Sequence, residues 1–373
     1  MNQKTSEFQE KINRLPIPVF LALAVIIALL LSLFFFSPRF ILWDLSRIGT
    51  FEADRANSFL QQIENPWGLK VESALRWRLL LPIFCHFLNI RGWFALSLSW
   101  LGVIVLLGQT AWIILRTTNN RWLSLTGCIL VATTSAVVVS TNWLGMNDAW
   151  YLIGLMAVAF ARNPRWLMFA ILVSPWFDEK FLIALPLAIV TRWHQVFQEK
   201  SQKSLLELLI LTIIGLVPYI GIRFFTTMLQ GDAVSSTFVQ NGFINFLTWL
   251  PWAPLGWWMA FRLGWIFLIV AFWLLLRTGG GQYLLVNLGL FISSALLITI
   301  LAADMSRSAA MVLPLIVWGW NDAPRDSIWV KPNIRNLIVF GNLLIPCMHV
   351  TYTKVSLIST LPLEIFRLLK ATH

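Results

Sequence analysis

The chain has 373 residues, of which 58% are hydrophobic and only 12% are charged, and its mean hydropathy is +0.74. Soluble domains carry about 25% charged residues, so this composition excludes an ordinary soluble protein and predicts one that crosses a membrane several times. The net charge of +11 comes from basic residues in short segments between apolar runs, which is typical of membrane topology rather than of nucleic-acid binding. The three cysteines show no CxxC or Cys/His spacing, so neither a disulfide framework nor a zinc site is predicted.

Apolar runs of helical length recur along the chain, and the need to satisfy backbone hydrogen bonds in lipid predicts a helix for each. The runs cover 17–42, 92–115, 122–141, 143–161, 166–177, 181–191, 205–229, 257–276, 283–303, 308–320 and 336–352. We therefore predict an all-α, polytopic transmembrane helical bundle of about eleven segments, forming a single domain over 1–373. Two runs, 166–177 and 181–191, are too short to cross about 30 Å of hydrocarbon at 1.5 Å per residue, so half-length helices are expected there.

The distribution of charge predicts the orientation of these segments. A basic N-terminus over 1–16 precedes the first apolar run, which resembles a retained signal anchor with its start in the cytoplasm. The connections then alternate, so that segments 43–91 and 230–256 become the first and second extracytoplasmic loops, the first with interfacial helices. Most acidic residues beside apolar helix ends fall on this outer face. The predicted location is the plasma membrane, which is the inner membrane if the protein is bacterial.

Acidic residues of the first outer loop are the first candidates for chemistry. Asp44 directly follows the first apolar run, and Glu52 and Asp54 form a pair at i and i+2. Two such carboxylates suit a divalent cation such as Mg²⁺ or Mn²⁺, or one of them acts as a general base. Arg78 lies in the same loop and offers the bidentate donors that suit a phosphate group. Contact with ordinary anionic lipid headgroups is the simpler alternative for this arginine.

Charges within the apolar segments form a second set of candidates, because an ionisable side chain at membrane depth is costly without a functional reason. Asp178 and Glu179 interrupt an apolar run next to Lys180, which neutralises one of them in the simplest interpretation. Asp148 begins a helical pattern, where a capping role is the plain alternative.

Three arginines share a similar predicted depth near the outer surface. Arg223 and Arg262 lie within apolar runs, and Arg307 follows Asp304 at a spacing of i, i+3 that favours a pair. Snorkelling to the interface explains each arginine singly, whereas all three together fit a basic pocket for phosphate.

Three short segments resemble the C-type (GT-C) superfamily of integral-membrane glycosyltransferases, in particular its poorly characterised bacterial members. Asp54 is followed by Arg76-Trp77-Arg78-Leu79-Leu80-Leu81-Pro82, a later segment runs from Asp178 to Leu185-Pro186, and a third runs from Asp304 through Arg307 to Pro314. The resemblance implies a GT-C-like fold and inverting transfer of a sugar from a polyprenyl-phosphate donor to an acceptor on the outer face. It also implies that a first-loop acid is the base or a metal ligand.

An inverting transfer needs a carboxylate to take the acceptor proton and cations to stabilise the departing phosphate. The expected roles are Asp54 as base, Glu52 or Asp44 as assistant or metal ligand, Asp178, Glu179 and Asp148 as acceptor-positioning groups, and Arg78, Arg223, Arg262 and Arg307 as ligands of the lipid phosphate. The competing hypothesis is a transporter or flippase of a lipid-linked or anionic solute, which would also need buried charges and broken helices. A non-catalytic scaffold in an envelope-polysaccharide complex is the third alternative.

Overall fold

The structure is a computed structural model that describes residues 12, 14–40, 43, 45–46, 51–68, 75–197, 203–230, 242–301, 304–322, 331–351 and 354–371. Asp44 lies outside these residues, and for Glu52 only the backbone is described. The helices in chain order are α1 (Ile17–Phe35), α2 (Phe51–Glu64), α3 (Leu80–Phe87), α4 (Gly92–Leu96), α5 (Leu98–Thr118), α6 (Arg121–Ala132), α7 (Ser135–Asn142), α8 (Asp148–Phe160), α9 (Pro164–Val173), α10 (Lys180–Phe197), α11 (Lys203–Gln230), α12 (Gly242–Trp249), α13 (Ala253–Phe261), α14 (Trp265–Leu301), α15 (Met305–Ser308), α16 (Leu313–Asp322), α17 (Pro332–Leu344) and α18 (Leu361–Ala371). Two strands, β1 (Cys347–Thr351) and β2 (Lys354–Ile358), lie between α17 and α18.

Within the described residues, 4 helical stretches are long and apolar enough to cross a membrane: Ile17–Phe35, Gly92–Thr118, Glu207–Phe225 and Phe246–Arg277. Helices α6 and α7 meet at a bend of 62° and count as a fifth when taken as one broken span. The protein is therefore a mostly helical membrane protein with four or five candidate spans, and the count of about eleven is not confirmed. The difference arises because several predicted runs form short helices, such as α8 with 13 residues and α9 with 10 residues.

The core of the bundle forms where helices approach closely. Helix α5 packs on α6 and α8, and α14 packs on α16. At Gly319 of α16, a Cβ atom would lie 2.9 Å from the carbonyl carbon of Phe267 on α14, so only glycine permits this separation of the two backbones. Trp318 and Trp320 on either side of Gly319 are almost fully buried. The close packing of these large side chains against neighbouring helices stabilises the interior in which the charged residues lie.

The prediction of one helix over 336–352 is wrong in its second half. Helix α17 ends at Leu344, and β1 pairs antiparallel with β2 so that Cys347 lies opposite Ile358. Pro346 has no backbone N–H to continue a helix, and the β-branched residues that follow favour an extended chain. The fold is thus mostly helical rather than all-α.

The hairpin is joined to the end of the first span. The backbone N–H of Ser37 donates to the carbonyl of Ser359 at 2.7 Å, and Arg39 Nη2 donates to the carbonyl of Leu357 at 2.7 Å. The chain just after α1 therefore extends the edge of the hairpin. Strand β1 of this hairpin contacts the short helix α15.

The first predicted outer loop contains helices α2 and α3, which pack on each other around a small apolar core of Ala56, Phe59, Ile63, Leu81 and Cys85. Gln62 Nε2 donates to the carbonyl of Leu75 at 3.0 Å and so fastens the segment before Arg78 to α2. In the second predicted loop, residues 231–241 lie outside the described residues, and helix α12 follows.

Candidate functional site

Two aspartates far apart in the sequence are built into the same local structure. Asp178 Oδ1 accepts a hydrogen bond from the backbone N–H of Lys180 at 2.9 Å, where α10 begins. Asp304 Oδ1 accepts one from the backbone N–H of Arg307 at 3.3 Å, and Asp304 is the N-cap of α15. Side-chain oxygens of this kind satisfy the free N–H groups at a helix start. The Oδ2 atom of each aspartate contacts a cationic side chain.

Asp148 connects these two helix starts. Its Oδ1 accepts from Lys180 Nζ at 2.8 Å, and its Oδ2 accepts from Arg307 Nη1 at 2.7 Å. Asp148 is the first residue of α8, and Asn147 is the N-cap, so the plain capping role considered from the sequence is not what this side chain does. The carboxylate instead divides its two oxygens between two buried cations.

The chain of ion pairs continues at both ends. Arg78, from the first predicted outer loop, lies 3.0 Å from Asp178 Oδ2, and Lys180 Nζ lies 3.5 Å from the same oxygen. Arg307 Nε lies 2.8 Å from Asp304 Oδ2, which confirms the pair expected at i, i+3. We call the seven linked residues the ion-pair cluster: Arg78, Asp148, Asp178, Lys180, Asp304, Arg307 and His349.

His349 completes the cluster from strand β1. Its Nε2 lies 2.6 Å from Asp304 Oδ2, and its ring centroid lies 4.7 Å from that of Trp143. The next residue, Val350, donates its backbone N–H to Ser306 Oγ at 3.1 Å, which holds the strand against α15. His349 was not predicted as a site residue, because it is a single histidine without a metal or catalytic motif in a segment predicted to be helical.

The permanent charges of the ion-pair cluster balance. Asp148, Asp178 and Asp304 face the permanent cations of Arg78, Lys180 and Arg307, and the three carboxylate side chains are between 1% and 8% exposed. Burying an ion is costly unless a partner of opposite charge compensates it. Burial alone would raise the pKa of the Asp304 carboxyl, but His349 and Arg307 outweigh burial and hold this pKa below its ordinary value.

Tyr151 lies within the same buried region and was not predicted. Lys180 Nζ is 5.6 Å from the centroid of its ring, which is the range of a cation–π contact. The side chain is fully buried, and its hydroxyl has no hydrogen-bond partner within the described structure. Its position one turn beyond Asp148 follows from the helical period of α8, which puts residues at i and i+3 on one face.

A second, more accessible pair adjoins the cluster. Glu179 Oε1 lies 2.7 Å from Arg223 Nη1, and the side chains are 42% and 37% exposed. Arg223 also donates to the Tyr219 hydroxyl at 3.1 Å, and its guanidinium carbon lies 5.2 Å from the centroid of the Trp77 ring. We call Glu179 and Arg223 the edge pair. Partial burial raises the pKa of the Glu179 carboxyl, against the opposing effects of Arg223 and Arg78.

Helix α2, which carries Asp54, lies next to the loop that leads into the cluster. A Cβ atom at Gly145 would lie 3.4 Å from the carbonyl oxygen of Arg55 and 3.4 Å from Phe59 Cβ. Met146, the next residue after Gly145, has its Sδ 2.8 Å from Arg307 Nη1. Asp54 itself is exposed on α2. The first-loop acid is thus on a helix that contacts the segment leading into the cluster.

Arg262 has a separate set of contacts. Its side chain is fully buried, Nη2 donates to the carbonyl of Thr133 at the end of α6, and its guanidinium carbon lies 4.8 Å from the centroid of the Phe36 ring. Its backbone adopts φ 50°, which is unusual for a residue other than glycine. These contacts stabilise the bend between α6 and α7. Of the four predicted phosphate-binding arginines, Arg78 and Arg307 belong to the cluster and Arg223 to the edge pair.

The described carboxylates do not suit a divalent cation. Among the residues that the structure describes, no group of three or more His, Cys, Asp and Glu side chains is arranged to hold a metal ion. The buried aspartates already have arginine or lysine partners, whose positive charge opposes a metal. The side chain of Glu52, which is one of the two predicted metal ligands, lies outside the described residues.

The fold and the site together define a mostly helical membrane protein with a charge-balanced buried cluster beside an accessible acid–arginine pair. Comparison with protein families, with curated proteins and with solved structures finds no match to this chain.

Proposed function

We propose that the protein is a membrane glycosyltransferase that moves a sugar from a polyprenyl-phosphate donor to an acceptor on the extracytoplasmic face, as a step in building a cell-envelope polysaccharide. The proposal places it in the plasma (inner) membrane of a bacterium, with its N-terminus in the cytoplasm. The observation that carries it is the convergence of Arg78, Arg223 and Glu179 beside Asp178, next to the helix of Asp54.

Two guanidinium groups at this position suit the phosphate of the donor. Arg78 and Arg223 are 21% and 37% exposed, whereas the cluster residue Arg307 is 8% exposed and pairs with Asp148 and Asp304. Arginine forks bind phosphate oxygens in pairs and stabilise the negative charge that grows on a leaving phosphate. The buried ion pairs behind them fix Asp178, and through it the position of Arg78.

The transfer itself requires one proton acceptor. In the proposed step, the acceptor hydroxyl oxygen forms a bond to the anomeric carbon while the bond from that carbon to the phosphate oxygen breaks. The electron pair of the broken bond stays on the phosphate, which Arg78 and Arg223 stabilise, and the hydroxyl proton passes to Asp54. Glu179, Asp178 and Asp148 orient the acceptor directly or through the cations they hold. No step passes through a metal ion.

The test uses the protein in lipid nanodiscs with a radiolabelled polyprenyl-phosphate hexose and a panel of lipid and saccharide acceptors. Asp54→Asn should lower the rate of sugar transfer by at least about 100-fold, which is the lower end of the contribution of a general base. Glu64→Gln, a change of an exposed acid on the same helix, is the matched control and should keep wild-type rates. A full rate of sugar transfer by Asp54→Asn would show that Asp54 is not the general base. If the wild type transfers sugar to no acceptor, the result counts against the proposed function.

A transporter or flippase is the second candidate, and the bend of 62° between α6 and α7 favours it, since broken helices line substrate sites in transporters. Proteoliposomes that contain a labelled polyprenyl-phosphate sugar separate the two functions. A flippase moves the intact lipid between leaflets, whereas a transferase releases polyprenyl phosphate without requiring such movement.

A further inference from the structure

The edge pair differs from every ion pair in the cluster by its exposure. Glu179 and Arg223 are 42% and 37% exposed, whereas Asp148 and Asp178 are 1% and 3% exposed. An exposed pair contributes little to stability, because water screens it and both side chains lose freedom to form it. The contact between Glu179 and Arg223 is therefore one that a competing anion can replace.

The surroundings of the edge pair are suited to a phosphate group. Trp77 contacts Arg223, and its neighbour Arg78 contacts Asp178, so the two guanidinium groups lie on either side of the consecutive acids 178 and 179. The Tyr219 hydroxyl accepts from Arg223 and keeps its own O–H as a donor. Two arginines and a phenol O–H supply hydrogen-bond donors suited to the free oxygens of a phosphate ester.

We propose that the Glu179 carboxylate occupies a phosphate-ester site until a ligand binds, and that an arriving phosphate ester replaces this carboxylate on Arg223. This inference rests on the proposed function, because it concerns the same lipid-phosphate site. The donor is a phosphate diester with two free oxygens, and the polyprenyl phosphate released by transfer is a monoester with three. Either has enough free oxygens to contact Arg78 and Arg223 together, whereas the Glu179 carboxylate contacts Arg223 alone in the described ion pairs. Asp178 stays in place, since Lys180 and the start of α10 also hold it.

The exchange has a consequence for the acceptor. Once the phosphate occupies Arg223, the Glu179 carboxylate is released beside the donor and is able to accept a hydrogen bond from an acceptor hydroxyl. Donor binding would in this way create the acceptor-positioning group. The same contact keeps Arg223 neutralised while no donor is bound.

The experiment measures the binding of three probes to the protein in nanodiscs of uncharged lipid. Radiolabelled polyprenyl phosphate represents a lipid phosphate, dimethylallyl phosphate represents a phosphate ester free in water, and polyprenol is the lipid without the phosphate. Glu179→Gln should bind the phosphate probe about fivefold more tightly than the wild type, which corresponds to the upper end of the energy of an exposed ion pair. Arg223→Gln should weaken binding about tenfold or more, because a charge-assisted hydrogen bond is lost.

The double variant Arg223→Gln/Glu179→Gln tests whether Glu179 and the phosphate compete for Arg223. In the Arg223→Gln background, Glu179→Gln should have no further effect, since there is no guanidinium left to compete for. Glu179→Ala is the second variant and should also tighten binding, and Glu64→Gln should leave binding unchanged. Tighter binding of both phosphates would mark a general phosphate-ester site, and tighter binding of the polyprenyl form alone would mark a lipid site; both outcomes support the inference.

Unchanged or weaker phosphate binding in both Glu179 variants would overturn the inference, as would an equal change for polyprenol. The two proposals fail in distinguishable ways. If sugar transfer occurs but the Glu179 variants bind phosphate no more tightly, the inference is wrong and the proposed function stands. If the variants bind phosphate more tightly but no acceptor receives sugar, the phosphate site stands and the transferase assignment is wrong.

Discussion

Asp148 pairs with two buried cations through one carboxylate, so the charge of its side chain matters more than its size. The change Asp148→Asn keeps the shape of the side chain but leaves Lys180 and Arg307 without their shared partner. We expect the free energy of unfolding to fall by about 3–5 kcal/mol, the range for removing one member of a buried ion pair. Unfolding in mixed detergent micelles measures this loss.

The control for this change is Glu64→Gln, which alters an exposed acid and should shift the unfolding free energy by less than about 0.5 kcal/mol. Equal stability of the two variants would mean that the cluster contributes nothing to folding.

Glu179 should make stability depend on pH in the direction opposite to an acid whose pKa is lowered in the folded protein. Because its pKa is raised in the folded protein, the folded state binds the proton more tightly than the unfolded chain. The stabilisation is complete below the pKa of an unfolded glutamate, about 4.3, and is lost as the pH rises through the folded pKa. Glu179→Gln, which is permanently neutral, should therefore have a higher Tm than the wild type at neutral pH.

Thermal unfolding across a range of pH gives the check for Glu179. The gain in Tm should disappear below about pH 4, where the wild-type carboxyl is also protonated. A gain that persists at low pH would assign the effect to packing rather than to charge.

At the scale of elements, helix α8 and the turn at Ser174–Trp176 set the distance between Asp148 and Asp178. Gly154 allows this approach, because a Cβ atom there would overlap Ser174 Oγ and lie 2.6 Å from Ser174 Cβ. Gly154→Ala should therefore push the turn away and lower the Tm by several degrees, since overpacking costs about 1–3 kcal/mol. Gly221→Ala is the matched control, because nothing lies within 4 Å of a Cβ at that position. A Gly154→Ala protein as stable as the control would contradict this packing.

The sequence was informative where a charge is unusual for its surroundings. Asp178, Lys180, Asp304 and Arg307 stand out because lipid-facing helices exclude ionised groups, and the spacing of Asp304 and Arg307 predicted their pair. The sharing of Asp148 between two cations could not be predicted, because it joins helix starts whose relative positions depend on the packing of the whole bundle.

The hairpin and its histidine were missed for a different reason. Residues 347–351 continue an apolar stretch, and composition alone does not separate a buried strand from the end of a buried helix. Pro346 was the available signal for a boundary. The place of His349 in the cluster follows from its contact with Asp304, which is 45 positions away in the sequence.

For the molecule as a whole, the topology predicted from charge can be tested by labelling. A cysteine at Glu64, exposed in the first predicted outer loop, should react with an impermeant thiol reagent in intact cells. A cysteine at Arg165, exposed in the first turn of α9, should react only after the membrane is permeabilised. The native cysteines Cys85, Cys128 and Cys347 are buried, so background labelling should be low. Labelling of both positions from outside would contradict the predicted topology, on which the proposed active site at the outer face depends.

The order in which a ribosome delivers these charges has a consequence for biogenesis. Asp148 enters the membrane when Arg307 is still 159 positions from being synthesised, and His349 arrives later again. Until then, of the two ion-pair partners of Asp148 in the described structure, at most Lys180 has been synthesised. Membrane chaperones and quality-control proteases act on unfinished chains in this state. Chains that stall before position 304 should therefore be degraded faster than chains that stall after the hairpin.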